Sequence, residues 1–340
     1  MYVNNESTSL NNLFYRKLLE SKALLLRLYG LVTLSFILAN WIDPQNSLAP
    51  ILLLVEFMPR WLVFIPLIFL IFVQFSPKQK FVLLILTIIN LFVVNGLRLN
   101  LPGKDLKETL RLITFNMGAS DEQIVEILVL LNTHDPDLLL LQESSDSFFV
   151  DKLPKDYSYH CDRGLCIVTK HQVTFLNSLT RRDTGSWGTF AASYELRIRE
   201  CKLNVVNVHP DTPRFILGKV LGFSSNSSDT SLQLYNAREL DHIRMHAWLS
   251  TFQTDIIAGD FNTNIFGLMY RKYWNEYNNA FDDSGFGFGV TYSEKLVTAR
   301  IDHVLFDDEW ESRVTEVLQN TGTNHSPLLV ELYLPKRCQN

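Results

Sequence analysis

Apolar runs dominate the first hundred residues; beyond them the chain breaks into short apolar strips that stop at polar residues. Residues 23–41 are almost wholly apolar apart from Arg27, residues 61–75 carry aromatics at both ends, and residues 81–97 form a third run. A bilayer core of about 30 Å takes roughly 20 apolar residues as a helix, or about 17 at the short end. The first and third runs meet that length. Glu56, Pro59 and Arg60 interrupt the stretch before the second run, so residues 48–58 read as re-entrant or interfacial and 61–75 as a short second span. No polar face alternates with the apolar one, as it would in a soluble bundle. A helix in lipid pairs its own backbone groups, so about three transmembrane helices are expected.

A different pattern begins after a tether at 101–109. Residues 110–115 read as a strand ending at Asn116. Ser120, with Gln123 three positions on, opens a helix over 124–131. The unbroken run Leu138, Leu139, Leu140, Leu141 has the look of a strand buried on both faces, and it ends at Gln142 and Glu143. A strand over 203–208 ends at His209. One over 255–258 ends at Gly259, Asp260, Phe261 and Asn262. One over 300–305 carries Asp302, and the last, 328–334, follows Asn324 and His325. A helix is expected over 235–249. Strands packed side by side gather such tips at one edge, where a rigid scaffold carries a site.

Charge separates the two parts. The chain has 36 acids and 31 Lys and Arg; four acids and eight bases lie in residues 1–100, which leaves 32 against 23, a net of −9, beyond them. That balance disfavours nonspecific binding to duplex nucleic acid, whose affinity comes from phosphate neutralisation. Basic residues also orient the spans. Arg16, Lys17 and Lys22 precede the first, Lys78 and Lys80 lie between the second and third, and only Arg60 lies between the first and second. The positive-inside rule puts the N-terminus in the cytoplasm, and three crossings put the second part on the outer side of the cytoplasmic membrane; two crossings would leave it facing the cytoplasm. Cys161, Cys166, Cys201 and Cys338 form no C-x-x-C pair. One or two disulfides in an oxidising compartment and buried free thiols both fit.

The gathered set is Asn116, Glu143, His209, Asp260, Asn262, Asp302 and His325. Hard oxygen donors suit magnesium, which keeps waters and takes one or two carboxylates plus substrate phosphate. Histidine beside carboxylate suits proton transfer or stabilisation of a charged phosphoryl group. Each feature has a plainer reading. A histidine before Ser-Pro is commonly a turn residue, His209 before Pro210 can end a strand, and Glu143 can be a solvated tip. His303 points away from Asp302, because neighbours along a strand face opposite sides.

In order, the segments TFNMG, LLLQES, GLCIVTK, NVHP, AGDFNT, RIDHVL and NHSP resemble the endonuclease/exonuclease/phosphatase superfamily, over residues 110–335. With the apolar runs ahead of them, the whole chain resembles a membrane-anchored bacterial branch. The resemblance implies an α/β fold: a four-layer sandwich of two mixed β-sheets flanked by helices, here preceded by an N-terminal bundle of about three transmembrane helices in residues 1–100. It implies Mg2+, or Mn2+ in its place, held by Glu143 with Asn116 and Asn324. It implies that Asp260 orients or deprotonates the attacking water and Asn262 donates to a phosphate oxygen. His325 would contact the phosphoryl group, oriented by Asp302, and His209 would touch phosphate or assist the leaving group. The family usually has Ser-Asp-His where this chain has Thr323, Asn324 and His325, so one negative charge is missing from the metal site.

The expected function is a membrane-anchored, divalent-metal-dependent phosphodiesterase or phosphatase acting outside the cytoplasmic membrane. Its substrate would be a lipid headgroup, an envelope metabolite or nucleic acid, and its anchor the bilayer; no obligate protein partner is implied. A nuclease of the same fold is the first alternative, and a catalytically weakened, membrane-tethered binding module the second. Arg238 reads equally as a phosphate contact or a charged face. Thr291 and Tyr292 resemble the family's Thr-Trp pair near the substrate. Arg181 and Arg182 read as a solvated loop or a groove lining, and residues 222–231 as a mobile loop placed to act as a substrate flap.

Overall fold

The computed structural model describes residues 5–39, 41–42, 48–104, 108–120, 123–149, 151–181, 188–222, 230–295, 297–319 and 322–339, with backbone alone over 5–19. Arg182 and most of the 222–231 stretch lie outside the described residues. The chain divides into two compact units, Met1–Ile42 with Pro59–Leu97, and Asp43–Met58 with Arg98–Asn340.

The first unit contains α1 (Asn5–Ala39). Next along the chain comes α2 (Ala49–Phe57), which belongs to the second unit. The first unit resumes with α3 (Phe64–Ile71) and α4 (Pro77–Ile89), the latter running on as a π-turn over Asn90–Val94. Among the described residues two helices are long and apolar enough to cross a membrane, Glu20–Ala39 and Pro77–Val94; a third counts only if the broken pair Ala49–Phe57 and Arg60–Ile71 is one span. The expected span over 61–75 is thus not one helix. It divides into a 3-10 turn, Arg60–Val63, and the eight residues of α3, which reach only about 12 Å. Only 22% and 11% of the two long windows are buried, and Leu31, Phe69, Phe72 and Phe81 point outward. Inside the unit the amide of Asn90 donates to Tyr29 Oη at 3.0 Å and Thr33 Oγ1 at 2.9 Å. These bonds satisfy a buried polar group and join α4 to α1.

The second unit is built on two mixed six-stranded sheets. Along the chain its strands are β1 (Arg98–Leu99), β2 (Thr109–Asn116), β3 (Leu138–Ser144), β4 (Ser158–Asp162), β5 (Gly164–Thr169), β6 (Gln172–Thr180), β7 (Thr189–Ile198) and β8 (Cys201–Val208). There follow β9 (Ile256–Asp260), β10 (Asn278–Asn279), β11 (Phe286–Gly287), β12 (Tyr292–Glu294), β13 (Val297–Ala299), β14 (Asp302–Phe306), β15 (Glu311–Val317) and β16 (Leu328–Tyr333). One sheet runs β15-β16-β2-β3-β5-β4 and the other β10-β14-β9-β8-β7-β6. The helices are α5 (Gln123–His134), α6 (Arg214–Val220), α7 (Ser231–Leu249), α8 (Leu268–Tyr273) and α9 (Ala280–Ser284).

The fourfold leucine run shows how the layers form. All four residues are fully buried, and successive side chains on a strand face opposite ways. Leu138 and Leu140 enter the core between the sheets, with Tyr194, Val205 and Val304. Leu139 and Leu141 face the other way, onto Ile127, Leu130 and Leu131 of α5. The outer face of the second sheet, through Val206, Val208 and Ile257, packs on α7, α8 and α2. Each such side chain contributes about 1.5–3 kcal/mol through burial.

All four cysteines are paired. Cys161–Cys166 links neighbouring strands, and Cys201–Cys338 ties β8 to the C-terminal turn across 137 residues.

Candidate active site

Strand direction brings the polar tips together. In each sheet one pair is parallel, β2 with β3 and β8 with β9, so their C-terminal ends share an edge. That edge therefore carries Asn116, Glu143, His209 and Asp260. Antiparallel strands bring their starts to it instead. Asp302 opens β14 directly opposite Asp260, and the turn bearing His325 leads into β16, whose Leu328 pairs with Thr114.

Two of these positions need unusual backbone. Glu143 has φ +53° at a bulge in the pairing of β3 with β5. The bulge breaks the strand's alternation and sends the carboxylate over the edge. Asn262 has φ +50°, a conformation asparagine tolerates better than most residues. Its own N–H donates to Asp260 Oδ1 at 2.8 Å.

Asn116 sits at the centre. Its amide nitrogen donates to Asp260 Oδ2 at 3.0 Å and Glu143 Oε1 at 3.2 Å, while its oxygen accepts from Gly118 N at 2.9 Å. His209 Nε2 lies 3.6 Å from both carboxylates. His325 Nδ1 lies 3.0 Å and 3.2 Å from the two oxygens of Asp302, and its Nε2 lies 3.7 Å from Asp260 Oδ2. The seven residues gathered in the sequence, with Asn324, line or adjoin one cavity of about 850 Å³. Asp302 is buried behind it, reached through His325.

Charge is divided unevenly across this set. Burial works against a charged His325, but Asp302 and then Asp260 outweigh it and raise its pKa to about 9. Burial pushes the Asp260 carboxyl up, with Asp302 adding and His325 opposing. Burial pushes His209 down, against the pull of Asp260 and Glu143. The surroundings thus favour the charged form of His325, make the Asp260 carboxyl beside it more basic, and disfavour charge on His209.

Asp260, Asp302 and His325 place one ligand atom each within 4.8 Å of one another, a group that could hold a metal ion. The expected metal residues differ: Glu143, Asn116 and Asn324. Of these, Glu143 is 40% exposed to the cavity, and Asn324 is exposed at its rim. Asn116 turns its nitrogen toward the carboxylates, so a ligand role for its oxygen requires the amide to flip, an orientation set by the hydrogen-bond network. Asn262 was expected to donate to phosphate. Its amide hydrogens go to Pro210 O at 3.0 Å and Asp260 Oδ2 at 3.3 Å.

Other residues complete the site. Thr291 Oγ1 accepts the backbone N–H of Ile301 and of Asp302, each at 3.1 Å, and its carbonyl takes the N–H of Ser326. Tyr292 packs edge-on to the His325 ring. Arg238 is neither a phosphate contact nor a charged face. It is buried, and donates to the carbonyls of Asn262 and of Asp211. Arg181 donates to the carbonyl of His209 at 2.7 Å. Gln142 and Asn207 bridge the sheets at 2.7 Å; only their polarity inside apolar strands marked them in the sequence. His303 turns to the opposite face, onto Thr263 O at 3.0 Å.

A sequence model described as "Endonuclease/Exonuclease/phosphatase family" matches residues 113–325. No curated protein matches in sequence. Among solved structures, an endonuclease/exonuclease/phosphatase family protein from Bacteroides thetaiotaomicron is 16% identical, with a TM-score of 0.50 over 66% of this chain and 98% of that one. Truncated TDP2 from Caenorhabditis elegans is 13% identical, with a TM-score of 0.50 over 68% and 100%. The human Nocturnin catalytic domain with bound sulfate is 15% identical, at 0.47 over 67% and 95%. These likenesses are of fold.

Proposed function

Since the chain belongs to the endonuclease/exonuclease/phosphatase family, we propose that it is a divalent-metal-dependent phosphodiesterase whose substrate is nucleic acid. The observation that carries the reaction type is the convergence of Glu143, Asp260 and Asp302 with His209 and His325 on one edge. Nucleic acid comes ahead of lipid headgroups because the family is named for nucleases together with phosphatases. The net of −9 argues for local rather than general contacts to the strand.

Glu143 with Asn116 and Asn324 would suit a hard divalent ion; the group of Asp260, Asp302 and His325 would hold one only with His325 deprotonated, because a cationic imidazole has no lone pair to give. A bound ion supplies positive charge to the phosphoryl and leaving-group oxygens. The chain's own groups do the rest. Asp260, fixed by Asn262 and Asn116, takes a proton from the attacking water as the water oxygen bonds to phosphorus; the P–O bond to the leaving group breaks, and that group departs as an oxyanion that solvent protonates. His325, kept cationic by Asp302, offers charge to a phosphoryl oxygen. Fixed charges of this kind favour the transition state because they need no reorganisation.

The proposal includes a membrane tether with the second unit on the outer side. The two candidate spans support the tether. The distribution of basic residues and the pairing of all four cysteines support the outer side, since disulfides persist in oxidising compartments; that side needs a third crossing between the two spans, because two alone return the chain to the cytoplasm.

The test offers the full-length protein in detergent plasmid DNA, a single-stranded oligonucleotide, headgroup-labelled lipid and bis-p-nitrophenyl phosphate, with Mg2+ or with chelator. DNA cleavage that needs metal and drops at least about 100-fold in Glu143→Ala and Asp260→Ala is the expected result. Turnover of lipid alone would overturn the nucleic-acid assignment.

A further inference from the structure

Glu56 is an acid in an apolar stretch of sequence, flanked by Leu53, Leu54 and Val55 before it and Phe57 after it. A carboxylate there is costly unless it is paired. It is only 9% exposed. Helix α2 carries it to the loop that follows Asp260. Glu56 Oε1 accepts from the backbone N–H of Asn264 at 3.1 Å and from Thr263 Oγ1 at 3.3 Å. A Cβ at Gly267 would lie 2.5 Å from Glu56 Cδ and 2.7 Å from Oε2, so a side chain at position 267 would displace this carboxylate.

A second side chain grips the same loop. Arg238 donates to the carbonyl of Asn262, and Glu56 is the foremost charge opposing the burial of that guanidinium. Asn262, in its left-handed conformation, in turn holds Asp260 through its N–H and its amide. A left-handed residue other than glycine persists where its surroundings over-determine it.

We propose that Glu56 is a positioning residue for the reaction: its carboxylate braces residues 261–267 so that Asn262 keeps Asp260 aimed into the cavity. The chemistry rests on the phosphoester-hydrolase reading above; the brace itself rests on the contacts of Glu56 alone. A helix from the apolar N-terminal third of the chain is thereby part of the active-site scaffold.

Full-length Glu56→Ala, Glu56→Gln, Glu56→Asp, Gly267→Ala and the double variant Glu56→Ala/Gly267→Ala decide the matter. Two readouts are used: kcat and KM on bis-p-nitrophenyl phosphate with Mg2+, and hydrogen exchange at the Asn264 amide. Glu56→Ala is expected to lower kcat about 10- to 100-fold with KM little changed, and to speed exchange at Asn264. Glu56→Gln keeps the acceptor oxygen and recovers most of kcat. Gly267→Ala is damaging alone, but no worse than Glu56→Ala in the double variant, because its methyl group enters vacated space. Wild-type kcat in Glu56→Ala, or full additivity in the double variant, would overturn the proposal. If Glu56→Ala does not fold, Glu56→Asp, one methylene short, takes its place, and full activity there is equally fatal. A wild type that hydrolyses nothing sinks the phosphoester reading. Exchange at Asn264 then judges the brace alone, faster exchange supporting it and unchanged exchange refuting it.

Discussion

Asn324 is the one candidate position at which the chain departs from the pattern it resembles. It lies exposed on the cavity rim, and its carbonyl accepts from Ser293 N at 2.8 Å. The backbone of the turn is therefore held whatever side chain it bears. Cation affinity in oxygen sites follows ligand charge, so Asn324→Asp should lower the Mg2+ concentration for half-maximal activity about tenfold. A metal titration of the two proteins checks this, and identical curves would mean that residue 324 faces no ion. His325 differs from its neighbour in kind. Its imidazole is drawn toward the charged form because two carboxylates that face each other on paired strands, Asp302 and Asp260, meet it at a buried position. Nothing within a few residues of His325 could indicate that.

At the scale of elements, α2 changes most between sequence and structure. Its composition groups it with the spans, yet Leu53 and Phe57 are buried in the core that covers the second sheet, and Phe57 lines the cavity. Removing those two side chains forfeits roughly 3–6 kcal/mol of burial. A protein cut to residues 101–340, the natural boundary by hydropathy, should therefore unfold at lower urea than the full-length chain and lose most of its activity. Equal urea midpoints and equal kcat would show that α2 is dispensable. The strands themselves were legible wherever a run ended in a polar tip: β2, β3, β8, β9, β14 and β16 all fall on expected segments. Strand β5 was signalled only by the resemblance of GLCIVTK. Strand β6 was not signalled, because its side chains are mostly exposed and it carries no apolar run for a pattern to find.

For the whole molecule, the long cross-link matters more than the short one. Cys201–Cys338 closes 137 residues and Cys161–Cys166 only five. Chain entropy assigns them about 5 and about 2 kcal/mol. Cys201→Ser should accordingly lower the urea midpoint more than Cys161→Ser, and reductant should lower the wild type by more than either. Midpoints in the reverse order would show that local packing outweighs loop closure. Reduction in the cytoplasm would have the same cost, which links stability to the proposed outward placement of this unit.

Local physics accounts for what the sequence determined by itself. Side-chain period and run length depend on neighbours along the chain. They were enough to mark the two long apolar helices, the strands that end in polar tips and the order of those tips from Asn116 to His325. Tertiary structure alone decided which way those tips face and what holds them. The bulge that turns Glu143 needs β5 beside it. The charge on His325 needs Asp302 and Asp260. Arg238 reaches Asn262, and Glu56 reaches Asn264 across 208 positions. Such contacts form between residues remote in sequence, where burial strips water from a polar group and leaves it to find whatever partner the packing brings near.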